Sequence, residues 1–248
     1  MRSQSDKLAI FMTGTDTGVG KTVITAALTL ALQQKGQLVG IMKPVETGMD
    51  PQQQEKSDTA RLRSLLSPPP PFGSICLYAF SQPLAPLACA RKAGTTIDVD
   101  RIASRVHDLT QQYPFFIVEG AGGVLTPITQ QHSMRDLMVT LNLPALVVGR
   151  ASLGSVNHLL LTLEGLAHAG IKTCGVVLNN PLANPPTETT RQQHTSTVEL
   201  IQELSTVPVF GPLEFEEKVR ASWRKGVERL AEHHEIQRLA NHLIEMGP

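Results

Sequence analysis

Short apolar runs alternate along this chain with segments in which apolar residues recur at helical spacing. The runs have the length of strands buried in a parallel sheet, and most are followed within two residues by glycine, proline or asparagine. They occupy residues 7–13, 38–42, 75–80, 115–118, 145–149, 171–178 and 207–210. Helical spacing marks residues 22–35, 59–66, 87–92, 98–112, 132–141, 152 onward, 197–204 and 226–246. This alternation predicts an α/β fold with a mostly parallel, twisted sheet flanked by helices.

The pattern continues without an internal repeat or a linker-like boundary, which predicts a single domain over residues 1–248. Three segments are predicted to be irregular, because they are polar or rich in proline and threonine: residues 49–56, the four prolines at 68–71 and residues 182–196. The segment 226–246 is predicted to be one amphipathic helix. Its apolar stripe is Leu230, Ile236, Leu239 and Leu243.

A glycine-rich turn at residues 14–22 joins the first strand to the first helix. It ends in Gly20-Lys21-Thr22, as in the phosphate-binding pattern G-x-x-x-x-G-K-[ST], but Gly14 stands one residue earlier than that pattern requires. In this context backbone N–H groups would hold phosphates, Lys21 would meet the β/γ oxygens and Thr22 would ligate Mg²⁺. A turn that binds nothing is the alternative, and the flanking strand and helix argue against it. The predicted fold is therefore of the phosphate-loop NTPase type.

Three charged residues are candidates for a site, and two of them, Lys43 and Glu119, follow predicted strands at the edge where ligands of a parallel sheet gather. Lys43 follows the second strand, Asp58 opens a helix after Ser57, and Glu119 ends an apolar run before a glycine-rich stretch. Position alone leaves Lys43 undecided between a functional role and ordinary surface charge. It favours helix capping for Asp58, with Ser57 or Asp58 as the cap. For Glu119 it favours a carboxylate facing Mg²⁺ over a solvated glutamate in a tight turn.

Two later segments are candidates for holding other parts of a ligand. Small residues at 152–158 open a helix, and free N–H groups at a helix N-terminus attract anions, so a ligand with a carboxylate fits there. Asn179 ends a late strand, where an amide can read a purine edge or simply terminate the strand. His158 has no partner suggested by spacing and is interpreted as structural.

Composition argues against several classes of function. Lys plus Arg and Asp plus Glu both number 22, so no electrostatic footprint for nucleic acid or an anionic membrane is expected. The three scattered cysteines favour a reducing compartment over a zinc site or a disulfide framework. The first residues lack a signal-peptide pattern, and no apolar run approaches the ~20 residues needed to span a bilayer. We therefore expect a cytoplasmic protein without a nucleic-acid or membrane partner.

Taken together, the motifs resemble those of the dethiobiotin synthetases, a family within the wider phosphate-loop superfamily. The longer loop is a trait of that family, which writes it G-T-D-T-x-V-G-K-T. The resemblance extends from about residue 8 to residue 181. Six blocks agree in order and spacing: residues 14–22, 43–48, 57–58, 119–123, 153–158 and Asn179.

The resemblance implies roles for individual residues. Catalysis is assigned to Lys21 and Lys43, with the Lys43 ammonium stabilising a carbamate and the charge that develops during phosphoryl transfer. Mg²⁺ would be held by Thr22, Asp58 and Glu119. The nucleotide would contact Gly18, Val19, Gly20, Lys21, Thr22, Val23, Asp58, Glu119, Gly120, Ala121, Gly122 and Asn179. The substrate would contact Thr17, Lys43, Thr47, Ser155, Val156 and Asn157.

The resemblance also implies a reaction and an assembly. The family joins CO₂ to 7,8-diaminopelargonate and closes a cyclic urea, with ATP as co-substrate and Mg²⁺ as cofactor. Because a carbamate is a poor electrophile, its oxygen must be phosphorylated, to a carbamic-phosphoric anhydride, before the second amine attacks. The product, dethiobiotin, belongs to biotin biosynthesis. In the family the helix start matching residues 155–157 comes from the partner subunit, which implies a homodimer with the substrate site at its interface.

The sequence departs from the family pattern in two places. Gly18 stands where some members carry glutamate, which alters local nucleotide contacts without removing the phosphate cradle. Near residues 211–214 the proline that packs on the purine comes two positions early. Three points therefore stay open: the purine contacts at residues 212–217, a contact of Glu217 with the ribose, and the preference for ATP over other triphosphates.

Three other functions have related loops or folds. A cobyrinate-type amidotransferase synthetase needs a glutaminase portion, which 248 residues do not accommodate. A partitioning or septum-positioning ATPase, which is a switch regulated by partner proteins, carries a lysine where this loop has Asp16. A paralogue that binds nucleotide without catalysis is the third alternative.

Overall fold

The computed structural model describes residues 7–181 and 187–247. Its strands are β1 (Leu8–Gly14), β2 (Val39–Met42), β3 (Val45–Thr47), β4 (Tyr78–Phe80), β5 (Phe115–Gly123), β6 (Ala145–Arg150), β7 (Thr173–Asn179) and β8 (Val209–Leu213). Six of them form one sheet in the order β2-β5-β1-β6-β7-β8, and every pairing in it is parallel. The other two, β3 and β4, form a small parallel sheet beside it. The predicted α/β fold is confirmed.

Helices cover both faces of the large sheet. They are α1 (Lys21–Gln34), α2 (Asp58–Arg63), α3 (Phe72–Ile75), α4 (Pro86–Lys92), α5 (Val99–Gln112), α6 (Met134–Leu141), α7 (Ser155–His168), α8 (Glu188–Leu204), α9 (Lys218–Ala221), α10 (Trp223–Ala231) and α11 (His234–Met246), with a 3-10 helix at Pro51–Lys56. None of the described helices combines the length and the apolar character needed to cross a membrane.

Alternate residues of the strands in the large sheet belong to two separate cores, because successive side chains point to opposite faces of a sheet. Ile10 and Met12 of β1 pack in the core that includes α1, α10 and α11. Phe11 packs in the core on the other face, with residues of α5, α6, α7 and α8. Burial on both faces explains why these strands read as continuous apolar runs in the sequence.

The prediction that one strand ends at residue 118 is wrong. β5 continues to Gly123, which pairs with Gly14 of β1, so Glu119 lies inside the strand and is fully buried. The glycines make this possible, since a Cβ on Gly123 would come within 3.2 Å of the Gly14 carbonyl oxygen. The stretch predicted to be a turn is thus sheet that lies against the loop after β1.

The predicted boundaries of two C-terminal helices are also wrong. The helix predicted at 197–204 begins earlier, at Glu188, and the Thr187 hydroxyl caps its N-terminus. Its buried residues include the polar His194 and Thr197. Because the inward face is largely polar, the apolar periodicity of this helix in the sequence is weak. Residues 182–186 of the predicted irregular segment lie outside the described residues.

The predicted helix 226–246 is two helices, α10 and α11, because His233 is extended and its ring accepts a hydrogen bond from the Glu235 N–H at 3.3 Å. The four residues of the predicted apolar stripe are all buried.

Several short elements were not predicted, because they are too short for periodicity to register. They are β3, α3, α9 and the 3-10 helix at Pro51–Lys56. The helix predicted at 59–66 is α2, which ends at Arg63, and Ser57 is its N-cap. β4 occupies only the last part of the predicted run 75–80. The single domain over residues 1–248 stays a prediction.

Candidate active site

The glycine-rich loop lies at the carboxyl edge of the large sheet, between β1 and α1. Gly18 and Gly20 have positive φ angles of 72° and 100°, which favour glycine. Helix α1 begins directly after Gly20, and no side chain caps its N-terminus. Its first N–H groups therefore have no side-chain cap, and their contact with an anion stays a prediction.

Lys21 is folded back onto this loop. Its Nζ donates a hydrogen bond to the Asp16 carbonyl oxygen at 2.9 Å. Burial lowers the pKa of Lys21 to about 8, and the Glu119 carboxylate opposes that shift. A phosphate oxygen would offer the ammonium a charged partner in place of a neutral carbonyl, which is a stronger hydrogen bond.

Four side chains from different parts of the chain meet below the loop. The Lys43 ammonium lies 2.5 Å from Asp58 Oδ2, 2.7 Å from Glu119 Oε1 and 3.4 Å from Thr22 Oγ1. The Thr22 hydroxyl also donates to Glu119 Oε1 at 2.6 Å. The structure thus brings together Lys43 and the three residues expected to hold Mg²⁺.

The charges of this cluster stabilise one another. Burial alone would lower the pKa of Lys43, but the carboxylates of Glu119 and Asp58 outweigh it and hold that pKa above its ordinary value. Burial alone would raise the pKa of Asp58, but the Lys43 ammonium keeps it below the usual range. Lys43 is therefore a cation and Asp58 an anion at neutral pH.

The oxygen donors of the cluster fit a magnesium ion. Mg²⁺ prefers hard oxygen ligands, and two carboxylates and a hydroxyl stand together here. The second carboxylate oxygen of Glu119 (Oε2) is buried and has no hydrogen-bond partner in the described part of the chain. An unpaired buried carboxylate oxygen is costly, and a cation would satisfy it.

A cleft of about 700 Å³ opens over the cluster. Its lining includes most of the residues predicted to bind nucleotide or substrate: Thr17, Gly18, Gly20, Lys21, Thr22, Val23, Lys43, Thr47, Asp58, Gly120, Ala121 and Gly122. The remaining wall is formed by Pro83, Leu84, Ala85, Pro86, Thr126 and Pro127. Sequence reasoning missed this second wall, because proline-rich loops carry no periodic signal.

The predicted substrate contacts of α7 do not line this cleft. Ser155 is buried at the start of the helix, 3.2 Å from the Ser152 hydroxyl, whereas Asn157 is exposed. Val156 packs partly against the core of its own chain. His158 is exposed as well. Within one chain, residues 155–157 are therefore not part of the lining of this cleft.

Asn179 and Arg150 contact the loop from the neighbouring strands. The buried Asn179 amide donates to the Val19 carbonyl oxygen at 2.8 Å, and a Cβ on Gly20 would collide with that amide. Arg150, at the end of β6, has Nη2 3.4 Å from the Thr17 carbonyl oxygen. Arg150 was missed because nothing in the sequence marks it. A purine contact of Asn179 stays a prediction, and so do those of residues 212–217, including Glu217.

Comparison with protein families gives consistent matches. A family model described as an AAA domain matches residues 8–222. The ATP-dependent dethiobiotin synthetase BioD of Anaeromyxobacter sp. (strain K) is 41% identical, over 77% of this chain and 88% of that protein. The enzyme of the same name from Bacillus cereus (strain B4264) is 36% identical, over 83% of this chain and 82% of that protein.

Solved structures with the same fold are more distant in sequence. The MinC:MinD cell division protein complex of Aquifex aeolicus has a TM-score of 0.59 at 16% identity, covering 97% of this chain and 95% of that chain. A ParA family ATPase from Chlorobium tepidum has a TM-score of 0.54 at 16% identity, covering 95% and 99%. At such low identity these likenesses concern the fold alone.

The contact between Gly20 and Asn179 can be tested with Gly20→Ala, using Gly36→Ala as the matched control. Both glycines have positive φ angles, but a Cβ on Gly36 meets nothing within 4 Å. We expect both variants to lose about 1 kcal/mol of unfolding free energy from the backbone conformation. Only Gly20→Ala should also weaken ATP binding, by about tenfold or more, measured by calorimetry. Equal ATP affinity in the two variants would contradict this role of Gly20.

Proposed function

The chain belongs to the ATP-dependent dethiobiotin synthetases, and we propose that the loop at residues 14–22 and the cluster of Lys43, Asp58 and Glu119 form the centre of its reaction. The enzyme is a ligase that forms C–N bonds and makes dethiobiotin for biotin biosynthesis at the expense of ATP. The observation that carries the proposal is the position of Lys43, which contacts Thr22, Asp58 and Glu119 directly beneath the cleft.

The chemistry explains why a cation is needed at this place. One amine of 7,8-diaminopelargonate adds to CO₂ and loses a proton, which gives a carbamate. A carbamate oxygen then attacks the γ-phosphorus of ATP, ADP leaves, and a carbamic-phosphoric anhydride forms. The second amine attacks the carbonyl carbon and loses a proton, phosphate leaves, and the cyclic urea closes. Negative charge thus develops first on the phosphoryl oxygens and then on the carbonyl oxygen.

We assign the stabilisation of this charge to the two buried lysines. Lys21, which lies in the loop, would pair with the γ-phosphate in place of the Asp16 carbonyl. Lys43 would pair with the carbamate and with the oxygen that is phosphorylated. The Lys43 ammonium is held by the carboxylates of Asp58 and Glu119, so it is preorganised beside the cleft, whereas Lys21 would exchange its contact with the Asp16 carbonyl for one with phosphate.

The remaining contacts are proposed for residues of the cleft, of the loop and of the cluster beside it. Thr22, Asp58 and Glu119 would hold Mg²⁺, and the unpaired oxygen of Glu119 supports this assignment. The ion would neutralise charge on the β- and γ-phosphates. Thr17 and Thr47 also line the cleft, and their hydroxyls would contact the diamine end of the substrate. The nucleotide would lie on Gly18, Val19, Gly20, Val23, Gly120, Ala121, Gly122 and Asn179.

A homodimer is proposed because residues 155–157 do not line the cleft of their own chain. The start of α7 suits a carboxylate, so a second copy can supply it to the substrate bound in the first. Apolar side chains beside it are exposed: Leu153 is 84% and Leu161 58% accessible. A two-fold interface would bury these leucines and complete the substrate site.

The reaction is tested by measuring ADP release from the purified protein. We expect ADP to form only when 7,8-diaminopelargonate and bicarbonate are both present, because phosphoryl transfer needs the carbamate as acceptor. A coupled assay across related diamines would identify the preferred substrate. Hydrolysis that is independent of the diamine and stimulated by a protein partner would instead favour a regulated ATPase switch.

Lys43→Ala separates catalysis from nucleotide binding. We expect turnover to fall by about 10³-fold, because the preorganised cation is lost. ATP and Mg²⁺ should still raise the unfolding temperature, since the loop is intact. Lys21→Ala should instead weaken nucleotide binding itself. Lys92→Ala, at an exposed lysine of α4, is the control and should behave like wild type. Normal turnover in Lys43→Ala would remove Lys43 from the mechanism.

Leu161→Asp tests the dimer. In a two-fold dimer with this face of α7 at its interface, the variant would bury one aspartate from each copy, and the two like charges would disfavour association. Sedimentation velocity should therefore show a monomer. Turnover at micromolar concentration should be lost while nucleotide binding remains. Leu204→Asp is the matched control, because Leu204 is equally exposed, at 57%, but lies at the end of α8. A dimer of wild-type stability in Leu161→Asp would show that this face of α7 is not the interface.

A further inference from the structure

We propose that Glu46 is a positioning residue for the Mg²⁺ site, which it controls by holding the start of α2 and thereby Asp58. Glu46 lies in β3, three residues after Lys43 and one before Thr47. It is not among the residues assigned to substrate, nucleotide or metal. The inference rests on the proposed role of Asp58 as a magnesium ligand.

Both carboxylate oxygens of Glu46 are bound to the backbone of α2. Oε1 accepts a hydrogen bond from the Asp58 N–H at 2.7 Å, and Oε2 accepts one from the Thr59 N–H at 2.9 Å. Glu46 is only 4% exposed. Charge-assisted bonds to two adjacent N–H groups at a buried site are strong and directional.

Helix α2 needs such an attachment because it is short. It contains six residues, and a helix of that length has little stability of its own. Its next N–H, on Ala60, is bound by the Ser57 hydroxyl at 3.2 Å. Glu46 and Ser57 together satisfy three successive N–H groups at this N-terminus. The bond from Ser57 is local, because Ser57 is the residue next to the helix, whereas the two bonds of Glu46 tie the backbone of the helix start to β3.

The attachment determines where the Asp58 carboxylate lies. β3 follows closely after Lys43, so the distance between Lys43 and Asp58 depends on how α2 is fixed to β3. Glu119 needs no such support, because β5 is a central strand paired on both sides. The backbone of Asp58 is thus held by Glu46, while its carboxylate is bound by Lys43.

A carboxylate is required at position 46, and an amide is not equivalent. Glutamine keeps the size of glutamate but has one oxygen, so its NH₂ group would face one of the two backbone N–H donors. The Glu46 carboxylate also repels the nearby Asp58 carboxylate. A neutral acceptor at position 46 would avoid this repulsion if the residue served only to hold the fold. We infer that the rigid two-point attachment of Asp58 outweighs this repulsion.

The test measures the Mg²⁺ dependence of nucleotide binding in Glu46→Gln. Calorimetric titrations with a non-hydrolysable ATP analogue give the Mg²⁺ concentration for half-maximal enhancement of affinity. We expect that concentration to rise about tenfold, the size seen when outer partners of metal ligands are removed. Affinity without Mg²⁺ should stay unchanged, because the loop does not contact Glu46. An unchanged half-saturating Mg²⁺ concentration would overturn the proposal.

A second measurement needs neither metal nor nucleotide. The chain contains one tryptophan, Trp223, and the Arg61 guanidinium of α2 lies 4.8 Å from the centre of its ring. The intrinsic fluorescence therefore reports whether α2 stays docked. We expect Glu46→Gln to change the emission of the metal-free protein and to increase its quenching by acrylamide. Wild-type fluorescence together with a wild-type Mg²⁺ dependence would leave Glu46 no positioning role.

Three further variants separate positioning from general stability. Glu55→Gln makes the same change on an exposed side chain of the 3-10 helix and should behave like wild type. In an Asp58→Ala background, Glu46→Gln should add nothing to the Mg²⁺ dependence, and an additive effect would show that Glu46 does not act through Asp58. If Glu46→Gln does not fold, Glu46→Asp is measured instead. It keeps the charge but is shorter, so an unchanged Mg²⁺ dependence would again overturn the proposal.

The outcome is independent of the diamine. Failure of the proposed function would appear as normal Mg²⁺-dependent nucleotide binding without diamine-dependent ADP release. Failure of the inference about Glu46 would appear as an unaltered Mg²⁺ dependence, whatever the acceptor of the phosphoryl group is.

Discussion

The buried ammonium of Lys43, which lies between the carboxylates of Asp58 and Glu119, constrains the rest of the site. These partners are 15 and 76 residues away from it along the chain. Taking the charges of Lys43 and Glu119 out of water is costly unless their partners are present, so the three parts of the chain must be positioned together. The same arrangement keeps a cation beside the position proposed for the phosphates. The ion pairs of Lys43 with Asp58 and Glu119 thus offset the cost of burying the ammonium, and they also hold it where anionic groups of the substrates are proposed to bind.

The strand order explains how distant residues reach this place. β5 lies between β2 and β1, so Glu119 stands between the residue that follows β2 and the loop that follows β1. In a parallel sheet all these ends lie at one edge, where ligands are typically bound. α2 is not part of that sheet; its Leu62 packs in the core with α1, and the Glu46 side chain of β3 binds its first two N–H groups. The site therefore combines a rigid side, formed by the sheet, with a side whose geometry depends on Glu46.

The fold by itself does not identify the reaction. MinD and ParA proteins share it at 14–16% identity, and their names describe cell division proteins and a ParA family ATPase. The reaction is indicated instead by the similarity to dethiobiotin synthetases, and the residues proposed to carry it are those of this chain's own site, where Lys43 contacts Asp58 and Glu119. Function has to be argued from such a site, because one scaffold supports many activities.

The sequence by itself determined the fold class, the loop and most strands and helices, because apolar periodicity and glycine placement are local signals. It also marked Lys43, Asp58 and Glu119 as candidates, although position alone favoured mere capping for Asp58 and left Lys43 undecided. Only the tertiary structure decided that these three meet, that Glu119 lies inside a strand, that Asn179 supports the loop, and that Glu46 holds α2. Each of these facts is a contact between residues far apart along the chain. Local patterns carry no information about such contacts, since packing and strand order alone bring the two partners together.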